Sequence, residues 1–272
     1  MAGWMCAVCA AALMWFSDAA MQSALRAASV FVNGVMPALF PMMVLSRMAP
    51  ATGGWRQAAL FGWLSGSPAA AQRVCAVWDA GRIRHLERML CLTGVMSPMF
   101  FTGTLRAWGV DGASAWRMLL CHWLGVAACA LFWPDRSSPP EQTQQAQGAV
   151  SLPSAISQSA RSMLAVCGAM MLFSIAAGIL RQVLGDSPWT AALWALMEIG
   201  GGAHAVLESY HQPYALLCGM CSFGGLSIWL QNLLFTAERI RPAKLLLMRA
   251  LHGAVSMLLY FFSLKIQNLL MT

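Results

Sequence analysis

His204 and Glu208 stand one helical turn apart with His211 close behind, and side chains of these types can hold a metal ion or relay a proton. The surrounding residues argue against both roles. The group ends an apolar run just before Pro213, where polar side chains meet water. The chain has no HExxH motif, no serine-centred nucleophile elbow and no phosphate loop. Cys6/Cys9 and Cys218/Cys221 have CxxC spacing, but they sit inside apolar runs without the further ligands of a structural zinc site. They read as small packing residues. His85 and His252 read as loop or helix-end residues, and His122 lies early in a span without an evident partner. No catalytic residue, metal site or cofactor is assigned, and the chain does not read as an enzyme.

The residues that suggest binding are those that interrupt apolar stretches. Tyr214 to Arg241 is long enough to cross a bilayer, yet Ser222, Phe223, Gly224 and Gly225 break its middle. Ser227 and Gln231 follow one turn apart on one helical face. A second break, Ser65-Gly66-Ser67-Pro68, precedes Gln72 and Arg73, and Ser97-Pro98 interrupts a third apolar region. Glu198 lies in the run Pro188 to Leu207, followed by Gly200, Gly201 and Gly202. Broken helices at membrane depth persist only where the freed backbone is buried in protein or lines a wet cavity, and such helices build the sites of many secondary transporters. The plainer alternatives are a close helix crossing at the glycines and an ordinary loop that leaves Arg73 among headgroups.

These breaks belong to a membrane protein. Of 272 residues, 59% are hydrophobic and 10% charged, against about 25% charged in a soluble domain. The net charge of +7 is scattered between apolar spans, so it reports orientation and anionic lipid rather than nucleic acid. The expectation is an all-α polytopic protein of about seven to eight membrane segments. The N-terminal apolar stretch lacks a basic n-region and reads as a short first span. Asp18 to Val32 fits an interfacial amphipathic helix with Met21, Leu25, Ala28 and Val32 on its apolar face, and Pro37 and Pro41 predict a kink beyond it. Clear spans run from 113 to 133, 163 to 184, 188 to 207 and 244 to 264.

Pro134 to Gly148 is polar and of low complexity, which divides the chain into a first membrane half (1–133), a linker (134–150) and a second half (151–272). The halves are weakly alike. SGSP and SFGG each lead to an Arg-Ile-Arg, at Arg82–Arg84 and Arg239–Arg241. Inverted repeats would put those loops on opposite sides, against a simple positive-inside pattern.

The run GSPAAAQRV…GRIRHLERMLCLTGVMSPMFFTGTL, with LFPMMVLSRM, LMEIGGG and FGGLSIWLQ in order, resembles the sporulation integral membrane proteins of the YlbJ type. Those carry the nucleoside-recognition, or gate, domain. The resemblance implies a protein of the cell membrane or outer forespore membrane that moves dipicolinate-like organic anions or nucleoside-like solutes. It matches Gly66, Pro68, Ser97 or Pro98, Gly103, Glu198, Gly202, Gly224, Gly225, Ser227 and Gln231. The family's paired asparagines fall at Gly94 and Val95, and its lysine at Gln72. The expected solute site is therefore Gly66, Ser67, Pro68, Gln72, Arg73, Ser97, Pro98, Glu198, Gly224, Gly225, Ser227 and Gln231, with Arg73 balancing negative charge. Expected partners are the lipid bilayer, the solute and, as an open alternative, further copies of the chain. The missing asparagines favour the competing reading, a non-transporting assembly component of the spore.

Overall fold

The computed structural model describes residues 2–50, 53–135, 137, 150–236 and 239–271. Among the described residues there are helices and no strands. Five helices are long and apolar enough to cross a membrane, so the chain is a helical integral membrane protein. Of the expected linker 134–150, residues 136 and 138–149 lie outside the described residues.

Helix α1 (Ala2–Trp15) has 14 residues; at about 21 Å it is too short to cross alone. Next, α2 (Ser17–Val30), a π-helical turn (Phe31–Val35) and α3 (Met36–Met48) form one apolar helix of 32 residues. This replaces the expected interfacial helix and separate kinked span. The misreading has a physical cause: Met21 is 62% and Leu25 64% exposed, while Ala20 and Ala27 are buried. The apolar face looks outward, as lipid allows, and the small-residue face packs on α8 (Leu152–Leu184). Pro37 follows directly on the π-helical turn, where the wider winding accommodates its missing N–H.

The remaining long helices are α7 (Gly112–Phe132) and α13 (Pro242–Met271). Between them and the first helix of each half lie interrupted pairs. These are α4 (Gly54–Ser65) with α5 (Ala69–Asp79), and α6 (Leu86–Thr93) with the segment from Met99 that winds as a π-helix over Phe100–Leu105. Beyond the undescribed residues come α9 (Pro188–Met197) with α10 (Ile199–Ser209), and α11 (Tyr214–Phe223) with α12 (Gly225–Thr236). The half-helices of 8 to 12 residues are each about 12–18 Å long, roughly half a hydrocarbon core.

Two of the pairs fold back on themselves. Helices α4 and α5 pack along each other, and Gly54 at the start of α4 lies beside the Arg82 carbonyl just past α5. Helices α9 and α10 also pack together, with Ser187 and Ser209 at their outer ends lining one cleft, so the single span expected over 188–207 is instead a folded-back pair broken at Glu198. The other two pairs run on across the molecule.

Side-chain ties fix the directions. Lys244 at the start of α13 bonds Glu87 Oε1 at 2.6 Å, and Trp133 after α7 bonds Glu87 Oε2 at 3.2 Å. At the opposite end Arg117 of α7 bonds Gln267 of α13, so these helices are antiparallel. Arg239 grips Asp79 with Nε and Nη2 at 3.0 and 2.7 Å, which brings the two Arg-Ile-Arg loops to the same end. Close crossings occur where side chains vanish: a Cβ on Gly253 would lie 2.8 Å from the Gly219 carbonyl, between α13 and α11.

Candidate functional site

Three of the four interruptions open onto one cavity of about 550 Å³, within the usual range of ligand pockets. Ser65 and Ser67 come from the first break, Met96 and Ser97 from the second, Glu198 and Gly200 from the third. Ile228 and Gln231 enter from α12, one and two turns past the fourth, whose glycines stay off the wall. The π-helical turn after α2 supplies Asn33 and Gly34 on the remaining side. Of the twelve residues expected at a solute site, Ser67, Ser97, Glu198 and Gln231 line this space.

The glycines hold the breaks together. Gly66, at φ 71°, sits so close to the second break that a Cβ would lie 2.5 Å from Ser97 N. Gly224 ends α11 in the left-handed conformation. Gly225, also left-handed, packs on the third break, where a Cβ would meet Met197 O at 3.2 Å and Ile199 N at 3.3 Å. The break and the close crossing, posed as alternatives, coincide here. Ser227 lies under the wall and accepts from Gln231 Nε2 at 3.0 Å.

Glu198 is the cap of its own half-helix. Its two carboxyl oxygens accept from Gly200 N–H and Gly201 N–H, each at 2.8 Å, so the N-terminus of α10 already has its anion. Arg73 lies away from the cavity. Its Nη1 donates to Ala49 O, and its Nη2 to Pro50 O and Gln57 Oε1, each at 2.7 Å. It closes the C-terminal end of α3 and takes no part in the cavity wall. Gln72 beside it is absent from the cavity wall, and Pro68 and Pro98 open the helices that follow their breaks.

The sequence reading missed the setting of three residues. His122 and His252 lie mid-helix and fully buried, which corrects the expectation of a loop or helix end for His252. Met96 N–H donates to His122 Nε2 at 3.0 Å, so the neutral ring carries its proton on Nδ1, facing Ser222 Oγ at 2.8 Å. His252 Nε2 donates to the His122 carbonyl at 2.9 Å. Arg249 of α13 is 2% exposed and donates from Nε to Phe223 O at 2.8 Å, at the fourth break. An arginine in the middle of the last apolar span was the available signal.

An outer cleft of about 460 Å³ shares Val30, Trp108 and Gly200 with the cavity. Arg26 and Arg181 flank Trp194 there at 5.8 and 4.6 Å from its ring centroid, and His204 and Glu208 pair at 3.4 Å. Among the described residues no cluster of His, Cys, Asp or Glu could hold a metal ion. No family description, curated protein or solved structure matches the chain.

Proposed function

We propose that the chain is a secondary carrier for a small organic anion or nucleoside-like solute, bound where three interruptions and helix α12 converge. The cavity of about 550 Å³, shared by three of the breaks and walled by the half-helix that follows the fourth, carries this reading, because unsatisfied backbone at membrane depth is kept where it lines a cavity. In the same reading residues 86–107 form a sixth crossing, and the α4–α5 and α9–α10 pairs are re-entrant hairpins, which makes eight membrane segments.

The halves then form an inverted repeat of long helix, hairpin, broken helix and long helix. The pairing sets Glu198 against Ser65–Pro68 and Gly224 against Gly94–Pro98, instead of SGSP against SFGG. Both Arg-Ile-Arg loops lie at one end, so inversion and the positive-inside pattern agree, and that end is cytoplasmic. The outer cleft faces the other side, and its arginines suit an anionic solute. The YlbJ-type motifs support a role in sporulation and a place in the cell membrane or outer forespore membrane.

Uptake into proteoliposomes tests the proposal. We expect flux of dipicolinate or a nucleoside above empty vesicles, lost in Gln231→Leu; no flux of either class would sink the reading for these solutes. An assembly role is the second reading, favoured by the engagement of both Glu198 oxygens and by a mainly apolar cavity wall. Sporulation that survives Gln231→Leu, with a stable partner co-purifying, would support it.

A further inference from the structure

Helices α6 and α11 end at the second and fourth interruptions, capped at Gly94 and Gly224, so two helix C-termini meet inside the molecule. Each carries a partial negative charge of about half a unit, from carbonyls left without helical partners. Arg249 lies between them. Its Nε binds Phe223 O at 2.8 Å, a Cβ on Gly224 would lie 2.7 Å from its Nη2, and one on Gly94 would lie 3.0 Å from its Nη1. Neither break has room for a side chain beside the guanidinium.

Among the described residues Nη1 and Nη2 have no hydrogen-bond partner, and no carboxylate pairs with Arg249. The buried acid Glu198 is bound to Gly200 and Gly201, and Glu87 to Lys244. A space of about 10 Å³ beside the guanidinium, bounded by Ser67, Asn232 and His252 among others, has room for about one water-sized body. A full positive charge with no carboxylate partner faces two half-helix C-termini.

Carriers built from interrupted helices use such C-terminal ends and unwound carbonyls to hold Na⁺ or a proton. We propose that Arg249 is a tethered counter-cation that takes the place of a mobile coupling cation at the joined ends of α6 and α11. As a positioning residue it touches the two breaks rather than the solute. Removing its side chain then leaves a vacancy with affinity for a small monovalent cation. Coupling rests on the carrier reading; the charge balance does not.

The test uses the full chain purified in detergent, with thermal unfolding as the readout. Wild type is expected to show the same midpoint in NaCl, KCl and choline chloride. Arg249→Ala is expected to unfold at lower temperature and to recover saturably with millimolar guanidinium or Na⁺ but not choline, whereas exposed Arg84→Ala gains no such response. Saturable stabilisation of wild type by Na⁺, or an Arg249→Ala protein indifferent to every cation, would overturn the proposal.

Should Arg249→Ala fail to fold, Arg249→Lys and Arg249→Met decide the matter. Lysine keeps the charge and is expected to hold the midpoint well above methionine, which keeps only the bulk. A methionine variant as stable as wild type would mean that packing, not charge, joins the breaks. In proteoliposomes, uptake by wild type is expected to be unchanged when Na⁺ is replaced by K⁺. Loss of all uptake with the lysine and methionine difference intact would count against the carrier and leave the counter-cation standing.

Discussion

Ser67 donates its backbone N–H to the Val95 carbonyl at 2.8 Å, which ties the tip of the α4–α5 pair to the interruption after α6. The bond joins two stretches of irregular backbone and helps to satisfy polar groups that lipid would leave stranded.

Gly66 makes that approach feasible, and its replacement is the sharpest test. Gly66→Ala adds a Cβ at a left-handed position 2.5 Å from Ser97 N. We expect a loss of about 2–4 kcal/mol, from strain plus overpacking, read as a lowered thermal midpoint. Gly168→Ala, a helical position with nothing within 4 Å, should be neutral or slightly stabilising.

Access to the cavity can be read chemically. In a background with exposed Cys6 and Cys9 replaced, Ser97→Cys and Thr104→Cys are expected to react with a water-soluble thiol reagent, since both positions line the cavity. Ser227→Cys should stay protected, being fully buried behind Gln231. Equal labelling of all three would mean that the wall between cavity and interior is not as described.

Arg73 gives a contrasting expectation. Arg73→Met strips the bonds to Ala49 O, Pro50 O and Gln57, at a cost of about 2–4 kcal/mol. Yield and thermal midpoint should fall, while the half-saturation concentration for any transported solute stays that of wild type. A shifted half-saturation with unchanged stability would restore the solute role first expected for this residue.

Acid acts at the end of the molecule that carries α6. Burial pushes the Asp135 carboxyl up, but hydrogen bonds from the Ser137 hydroxyl, Arg88 N–H and Ser137 N–H outweigh it and hold it below its ordinary value. A depressed native value contributes stability that is present above the unfolded value of about 4 and lost as pH falls through the native one. Asp135→Asn should flatten the fall in thermal midpoint between about pH 5 and pH 3.

Glycine and proline made three breaks legible. Ser65–Pro68, Ser97–Pro98 and Gly224–Gly225 stand out because their residue types punctuate an apolar run. The break at Glu198 was hidden, since LMEIGGGAHAVL reads as continuous helix until the carboxylate is seen capping Gly200 and Gly201. The outward apolar face of α2 was read with the sense that water gives it, and lipid reverses that sense. Arg249 passed as part of a span because nothing local marks which interruptions, more than twenty residues away in the chain, fold against it. The convergence on one cavity is a property of long-range packing, to which periodicity is blind.

Helix α8 runs for 33 residues, about 50 Å, against a hydrocarbon thickness near 30 Å. Its first turns hold Ser154, Gln158, Arg161 and Ser162, and Arg47 of α3 binds Gln158 and Ser162 there. This rod must therefore either lean or jut into the headgroups, and its polar start favours jutting. Bilayer thickness then becomes a variable that the surrounding membrane imposes on the seam between α3 and α8.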